Sequence, residues 1–373
     1  MRFIGQGICG ATLILAAGSA AAQSSVTLYG VADTFLQYLD NGGTHSYSER
    51  SGGNTGSMFG LKGSEDLGNG LKAVFDVESG FNLNNGTFFA DSSSLFYRQA
   101  WVGLAHENYG TFTFGRQYQP SFWAIYPTDP FRANEVLSPL AAMAVAQASD
   151  RSTLASQYSP GRLSNTMMYQ SPNLYGLKFY AMYGFAATAT QPVPTTTGNV
   201  LDVAATYSGA GLYVGLGYSF QHPATITLPG LPAALGQVGT AHYTAALGYR
   251  IGIVNLMANY SYNQPNDPAA HSLAAVLGAA HSYSIAEIGA TVQATANDTI
   301  EIAGIERNVR GVHDNTAGIQ VGADHSLSKR TTVYLRAGYM KNNGTATVSW
   351  PGVTSVPAGS KQVLGVVGIT HRF

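Results

Sequence analysis

Cysteine is nearly absent from this sequence of 373 residues. The only one, Cys9, lies in an apolar N-terminal segment, too early in the chain to serve as a lipoprotein anchor. A mature chain that lacks this segment has no thiol. It can therefore form neither a disulfide framework nor a metal site built from cysteine.

Charged side chains are also scarce. They make up 10% of the residues, against about 25% in soluble domains. The 19 basic and 20 acidic residues nearly balance. A protein that binds nucleic acid needs a strongly basic face, so nucleic acid is excluded as a partner.

Long apolar runs are missing as well, apart from the N-terminal segment. No later run reaches the roughly 20 residues that a transmembrane helix needs. Lipid offers no partner to a backbone N–H or C=O group, so such a chain can cross a membrane only as a closed β-barrel.

The N-terminal segment has the three parts of a secretory signal peptide. Met1, Arg2 and Phe3 carry one positive charge, an apolar core runs from Ile8 to Ala17, and three alanines end at Ala22. We expect residues 1–22 to be removed and residues 23–373 to form one domain. A transmembrane anchor is the weaker alternative, because the apolar core is short and the cleavage site follows directly.

The mature chain contains short alternating segments. In Leu71–Glu78 the apolar odd-numbered residues share one face, while Lys72, Asp76 and Glu78 share the other. Such alternation is typical of a strand with one face on lipid and the other on water. We count about 16 strands, an even number within the range of bacterial outer-membrane barrels.

The connections between these strands come in two sizes. Short turns such as Ser208–Gly211 alternate with long polar loops such as Asn263–His281. Tyrosines favour strand ends, where a barrel has its interfacial girdles. These features favour an all-β transmembrane antiparallel barrel over a soluble β-sandwich.

The segment Gly115–Arg162 interrupts this pattern, with five prolines and no sustained alternation. A connection of more than about 40 residues is either functional or disordered. Its aromatic residues, among them Trp123 and Tyr126, argue against disorder. We expect it to fold inside the barrel, with Leu140–Ala146 as either a short helix on the inner wall or the strand-closing side of the loop.

Five segments in the first third of the chain and in its last strand carry a family signature. They are SVTLYGVAD (Ser25–Asp33), FGLKGSEDLGNGLKA (Phe59–Ala73), YRQAWVGL (Tyr97–Leu104), FGRQY (Phe114–Tyr118) and the terminal HRF (His371–Phe373). Together they resemble the Gram-negative general diffusion porins, most of all the betaproteobacterial branch.

The resemblance implies a homotrimer of 16-stranded barrels in the outer membrane, in contact with its lipid and lipopolysaccharide. The third external loop of such a barrel folds into the lumen as a constriction, and by order this loop is 116–161. Phe373 matches the terminal residue that the family's assembly machinery reads. Small hydrophilic solutes and ions are the expected cargo, with no cofactor and no metal.

A charged constriction needs basic side chains on the wall and acidic ones on the inserted loop. Trp101 is expected to face lipid or a neighbouring subunit, which would place Arg98 on the lumen face. Arg162 stands where the resembling porins have an arginine, and Lys62 shares a face with Met58. Many family members have an arginine at the position of Met58, so a basic charge is lost here.

The expected acidic side of the constriction is Asp129 and Glu135, with Asp150 as a weaker candidate. We therefore expect weak charge selectivity, slightly in favour of cations. Further lumen candidates follow from strand parity: Lys72, Asp76, Lys178, Glu301, Arg307 and Arg336.

Arg116 shares parity with Phe112 and Phe114, which points it away from the lumen. We expect it to contact a neighbouring subunit, with Asp91 in the second loop as its partner.

Two other functions remain as alternatives. The sequence has neither a G-x-S-x-G nor an H-E-x-x-H motif, which argues against a barrel enzyme. A channel specific for an anion would need a dense basic cluster, and one for sugars an aromatic ladder. Neither pattern is evident, although Trp123, Tyr126 and Phe131 near the constriction leave a sugar channel open.

Overall fold

The computed structural model describes residues 25–144, 151–156, 161–187, 196–226, 234–351 and 356–373. The predicted signal peptide and Asp150 lie outside these ranges. The strands are β1 (Ser25–Asn41), β2 (His45–Ser51), β3 (Met58–Gly68), β4 (Leu71–Gly80), β5 (Gln99–His106), β6 (Gly110–Tyr118), β7 (Arg162–Gln170), β8 (Leu177–Gly184), β9 (Val200–Gly209), β10 (Leu212–Gln221), β11 (Ala224–Ile226), β12 (Leu235–Gln237), β13 (Thr240–Ile251), β14 (Val254–Pro265), β15 (Tyr283–Gln293), β16 (Asp298–Val309), β17 (Thr316–Ser326), β18 (Thr331–Asn342) and β19 (Lys361–Arg372).

These strands form a closed antiparallel barrel. β1 pairs with β19 along Val31–Asn41, which closes the sheet. β2 and β3 pair with successive parts of β1 and together act as one interrupted strand. β11 and β12 pair with each other as a separate two-stranded antiparallel sheet. With β2 and β3 counted as one, the described residues give 16 wall positions, which confirms the predicted fold.

The alternation of side chains explains which face meets lipid. Val102 and Leu104 of β5 are 58% and 49% exposed on the outside of the barrel. Between them lies Gly103, which is buried and faces inward. Apolar residues outside and small or polar residues inside are what a barrel in lipid requires.

Residue choice also explains the short turns at one end of the barrel. Asn69 and Gly70, between β3 and β4, have φ of 52° and 78°, and Ala210 and Gly211, between β9 and β10, have φ of 51° and 80°. Two consecutive positive φ values match the twist of a tight hairpin. The long loops therefore lie at the opposite end.

The described residues of the connection between β6 and β7 fold into the barrel, as predicted. It contains the helices α1 (Pro120–Ile125) and α2 (Pro139–Ala144), and each begins with a proline at a position that needs no N–H partner. α1 packs against β9, β10 and β13, and α2 against β15, β16 and β17. A third helix, α3 (Leu273–Val276), lies in another loop. As far as Ala144, the described part of the predicted segment Leu140–Ala146 is thus a short helix, the first of the two alternatives.

The loop helix α2 belongs to an apolar cluster that fills one side of the barrel. Leu140 and Met143 are buried there with Phe35 of β1 and Ile285 of β15. Burying such side chains stabilises the inserted loop by about 1.5–3 kcal/mol each. None of the helices in the described ranges is long and apolar enough to cross a bilayer.

The first long loop is held inward by one carboxylate. Asp33 of β1 is fully buried and accepts hydrogen bonds from the backbone N–H groups of Gly53 (2.7 Å), Asn54 (3.1 Å) and Thr55 (3.1 Å). The Tyr334 hydroxyl of β18 donates a fourth at 2.7 Å. The last residue of the YGVAD motif is therefore a structural anchor near the closing seam.

Candidate functional site: a constriction inside the barrel

A buried carboxylate on the wall fixes the start of the inserted loop. Asp202 of β9 accepts hydrogen bonds from the Ser121 backbone N–H (2.8 Å), the Ser121 hydroxyl (2.6 Å) and the Gln119 amide (3.0 Å). The Tyr213 hydroxyl of β10 donates to the Ala124 carbonyl at 2.9 Å. These bonds hold α1 against the inner wall.

Arg98 reaches the lumen just before β5 begins. Its Nε donates to Glu78 Oε1 at 2.5 Å and its Nη2 to the Tyr118 hydroxyl at 3.2 Å. A Cβ atom at Gly80 would lie 3.1 Å from Arg98 Cδ. The glycine on the neighbouring strand therefore leaves room for the arginine.

Glu135 of the inserted loop lies between two wall arginines. Its Oε2 is 3.5 Å from Arg98 Nη1, and its Oε1 forms an ion pair with Arg162 Nη1. The Arg162 guanidinium also lies 4.2 Å above the centroid of the Tyr118 ring. The structure thus brings together three of the predicted residues, Arg98, Arg162 and Glu135, which we call the constriction group.

The charge state of Glu135 follows from these neighbours. It belongs to the loop and not to a wall strand, and its side chain is 28% exposed. Burial raises the pKa of its carboxyl, but the charges of Arg162 and Arg98 outweigh burial, and the pKa lies below its usual value. Glu135 is therefore an anion at neutral pH.

The constriction group separates two cavities of about 450 Å³ each. The cavity toward the long loops includes Arg162 and Pro351, and the other, toward the chain termini, includes Arg98 and Phe373. Both are lined by Glu135 and also by Tyr118, Phe122 and Ala133. The constriction group therefore contributes to the lining of both cavities.

Asp129 does not face the passage, and this expectation is corrected. Its side chain is buried, and it accepts hydrogen bonds from the backbone N–H groups of Phe131 (2.7 Å) and Ala133 (2.7 Å) and from the Ser138 hydroxyl (2.5 Å). These bonds shape the turn that presents Glu135. Asp129 is therefore a structural residue of the loop.

Lys62, which was predicted to belong to the constriction, lies nearer the short turn between β3 and β4 than Met58 does. The register pairs Met58 with Gly80 and Lys62 with Asp76, so Lys62 is four residues from Met58. Its Nζ is 5.2 Å from the centroid of the Tyr29 ring. Within the described ranges it makes no ion pair with the constriction group.

The orientation predicted for Trp101 is wrong, although Arg98 does reach the lumen. Val102 and Leu104 are exposed on the outer face, so Trp101 between Ala100 and Val102 points inward. Arg98 precedes the first residue of β5, where the backbone bends and the alternation of faces does not apply. Alternation of side chains along a strand therefore did not predict the orientation of residues at the end of β5.

Arg116 packs beside the constriction group. It donates to the Tyr97 carbonyl and, through Nη1, to the Ser164 hydroxyl at 2.8 Å. The Tyr97 ring centroid lies 5.1 Å from the Arg116 guanidinium and 5.5 Å from that of Arg162. Its neighbours Phe112 and Phe114 are exposed outside, as predicted.

Asp91 and Phe373 have local partners in the single chain. Asp91 accepts hydrogen bonds from the Ser93 hydroxyl and the Ser93 backbone N–H. These bonds, together with the charge of Arg116, hold the pKa of the Asp91 carboxyl below its usual value. Phe373 exchanges backbone hydrogen bonds with Gly30, which extends the pairing of the last strand with β1. The subunit contact of Arg116 and Asp91 and the assembly role of Phe373 stay predictions.

Sequence reasoning missed two side chains of this region. Tyr118 contacts both wall arginines. Arg132 is exposed in the cavity toward the termini and has a φ of 57°. Tyr118 closes the FGRQY motif and follows Arg116 by two residues, a spacing that could have suggested it; Arg132 had no comparable signal.

A second arginine group lies behind the loop. Arg336 of β18 is 3.1 Å from Glu301 of β16 and 2.7 Å from Asp324 of β17, and Phe131 of the loop covers it at 5.5 Å. We call Arg336, Glu301 and Asp324 the buried arginine group. Among the described residues, no three His, Cys, Asp or Glu side chains form a cluster that could hold a metal ion.

Comparison with known proteins identifies the barrel. The model of the Gram-negative porin family matches residues 10–345. An outer membrane porin protein of Bordetella pertussis is 28% identical over 96% of both chains, and outer membrane porin protein 32 of Delftia acidovorans is 28% identical over 97% of both. An anion-selective porin from Comamonas acidovorans has a TM-score of 0.76 at 24% identity and covers 94% of this chain and 100% of its own. The chain therefore belongs to the Gram-negative porin family and is a protein of the bacterial outer membrane.

Proposed function

We propose that the barrel forms a water-filled channel for the passive diffusion of small hydrophilic solutes and ions. The observation that carries this proposal is the position of Glu135, which bridges Arg98 and Arg162 between two cavities. A charged group in a pore acts on ions through its field and on solutes through the space that it leaves.

The charges near the constriction support weak selectivity that favours anions. Arg98 and Arg162 are offset by Glu78 and Glu135, and Arg132 adds one exposed positive charge. Asp129, which the sequence analysis counted as a pore acid, lies buried in the loop. The slight cation preference expected from the sequence is therefore replaced by a slight anion preference.

The trimer belongs to the same proposal. Family resemblance supports three barrels in one assembly, and Arg116 lies beside the outward-facing Phe112 and Phe114. We infer that Arg116 and Asp91 take part in the contact between subunits. The curated relatives are porins, which supports a channel and not an enzyme.

Single-channel recording in planar bilayers tests the channel. We expect stepwise conductance, and in a salt gradient a reversal potential slightly displaced toward that of the anion. A purified, folded protein that gives no conductance steps contradicts the channel. Strong selectivity of either sign contradicts the charge balance at the constriction.

A further inference from the structure

A third cavity lies on the short-turn side of the inserted loop, and its lining differs from that of the other two. It has a volume of about 290 Å³ and lies between α1 and the inner faces of β5 to β8. Its ten lining residues include no charged side chain. The two larger cavities, by contrast, contain arginines and Glu135.

Aromatic rings form two sides of this cavity. Trp101 contributes from the wall strand β5, Trp123 from the loop helix α1, and Tyr180 from β8. Trp123 is 36% exposed although it lies inside the barrel. An indole ring that stays open to the lumen offers an apolar face on which a solute can stack.

Amide and hydroxyl groups complete the lining. Trp101 Nε1 donates to Gln99 Oε1 at 3.1 Å, which orients the Gln99 side chain. In the part of the chain that the structure describes, the Gln99 Nε2 and the Gln170 amide have no hydrogen-bond partner. With the Thr111 hydroxyl they supply both donors and acceptors to a ligand.

These observations point to one class of ligand. Aromatic faces beside amides suit a molecule that has C–H surfaces and hydroxyl groups, whereas a charged ligand would lack a counter-charge here. The volume is close to the lower limit of about 300 Å³ for small-molecule pockets. We infer that this cavity is a binding subsite for a neutral sugar the size of one hexose. The inference rests on the proposed channel function and specifies one of its solutes.

Tryptophan fluorescence tests the subsite without any need for conduction. The chain has three tryptophans, of which Trp101 and Trp123 line the cavity and Trp350 is buried at 1% exposure. Titration of the detergent-solubilised protein with glucose should give a saturable change in emission in the millimolar range. Sorbitol at equal viscosity has similar hydroxyl groups but no ring, and should give none.

Four variants assign the signal. Trp101→Leu and Trp123→Leu should each raise the glucose concentration at half-saturation by roughly 2- to 10-fold, because each loses one stacking face. The matched control Phe179→Leu removes a ring of β8 that is 47% exposed on the outside of the barrel and does not line this cavity, and should leave the half-saturation unchanged. The double variant, with only Trp350, should show no saturable change.

Bilayer recordings separate this inference from the channel itself. Glucose should reduce the wild-type current in a saturable way and beyond the effect of sorbitol. Conductance with equal effects of glucose and sorbitol, or an unsaturable emission change, would overturn the subsite and leave the channel intact. A protein that binds glucose by fluorescence but shows no conductance would overturn the channel alone.

Discussion

The constriction group and the buried arginine group have similar chemistry in different surroundings. In each, arginines of the barrel wall pair with carboxylates, which lie on the inserted loop in the first group and on the wall behind the loop in the second. The Glu135 side chain is 28% exposed, whereas Glu301 and Asp324 are 2% and 10% exposed. Exposure therefore divides the roles: the constriction group can act on passing ions, and the buried arginine group acts on stability.

The largest expected effect is a loss of stability in the buried arginine group. Arg336→Met leaves Glu301 and Asp324 without their cation behind the loop. Loss of one partner from a buried ionic group costs about 3–5 kcal/mol. Unfolding of the detergent-solubilised barrel with heat or denaturant measures this loss.

Arg132→Met is the matched control, because it removes an exposed arginine of the loop. Its free energy of unfolding should stay within about 0.5 kcal/mol of the wild-type value. If the two variants lose equal stability, exposure does not distinguish the two groups, and the stabilising role assigned to the buried arginine group is wrong.

The next effect concerns the loop carboxylates. Glu135→Gln removes the acid that bridges the two wall arginines. The anion-to-cation permeability ratio should therefore rise about threefold. Asp129→Asn changes the buried acid of the same loop and should leave the ratio unchanged. Reversal potentials in a salt gradient provide the measurement, and an equal shift in both variants contradicts the position assigned to Asp129.

Met58 allows a smaller change on the wall. It lines the cavity that contains Arg98 and Arg132, so Met58→Arg adds a positive charge there. We expect a further shift toward anions of about twofold, which decreases as salt screens the charge. A shift toward cations, or none at low salt, would show that this wall position does not influence permeating ions.

The smallest effect is expected at the proposed subunit contact. Arg116→Ala and Asp91→Ala should each slightly lower the temperature at which the trimer dissociates on a gel, because an ion pair with a solvent-exposed partner is screened and contributes little. Arg250→Ala removes an exposed arginine at a short turn and serves as the control. An equally heat-resistant trimer in the Arg116 variant rejects the contact.

The sequence predicted the barrel because the membrane imposes a strict pattern. Residues such as Val102 and Leu104 must face lipid, so alternation and turn residues suffice to define strands. Arg98 was predicted from strand alternation, Arg162 from family position and Glu135 from its charge on the loop. Their mutual contacts depend on the path of the loop, which no local pattern specifies.

Asp129 and Trp101 show where sequence reasoning reached its limit. Asp129 and Glu135 are acids of one loop, six positions apart, and only the backbone path decides that Asp129 turns to the N–H groups of Phe131 and Ala133. Trp101 was expected to face lipid, and Arg98 was oriented by counting back from it, although Arg98 lies before the strand begins. A period of two holds only where the backbone is extended.

The hydrogen bond between Asp33 and Tyr334 has a consequence for the order of folding. The two residues are 301 positions apart, so the bond can form only after the last strands reach β1. Contacts at such separation are slow to form because a long loop must close first. We expect Asp33→Asn to leave early strand formation unchanged and to delay the protease resistance of residues 52–57 during refolding. If that resistance appears as early as in the wild type, the first loop takes its place independently of barrel closure.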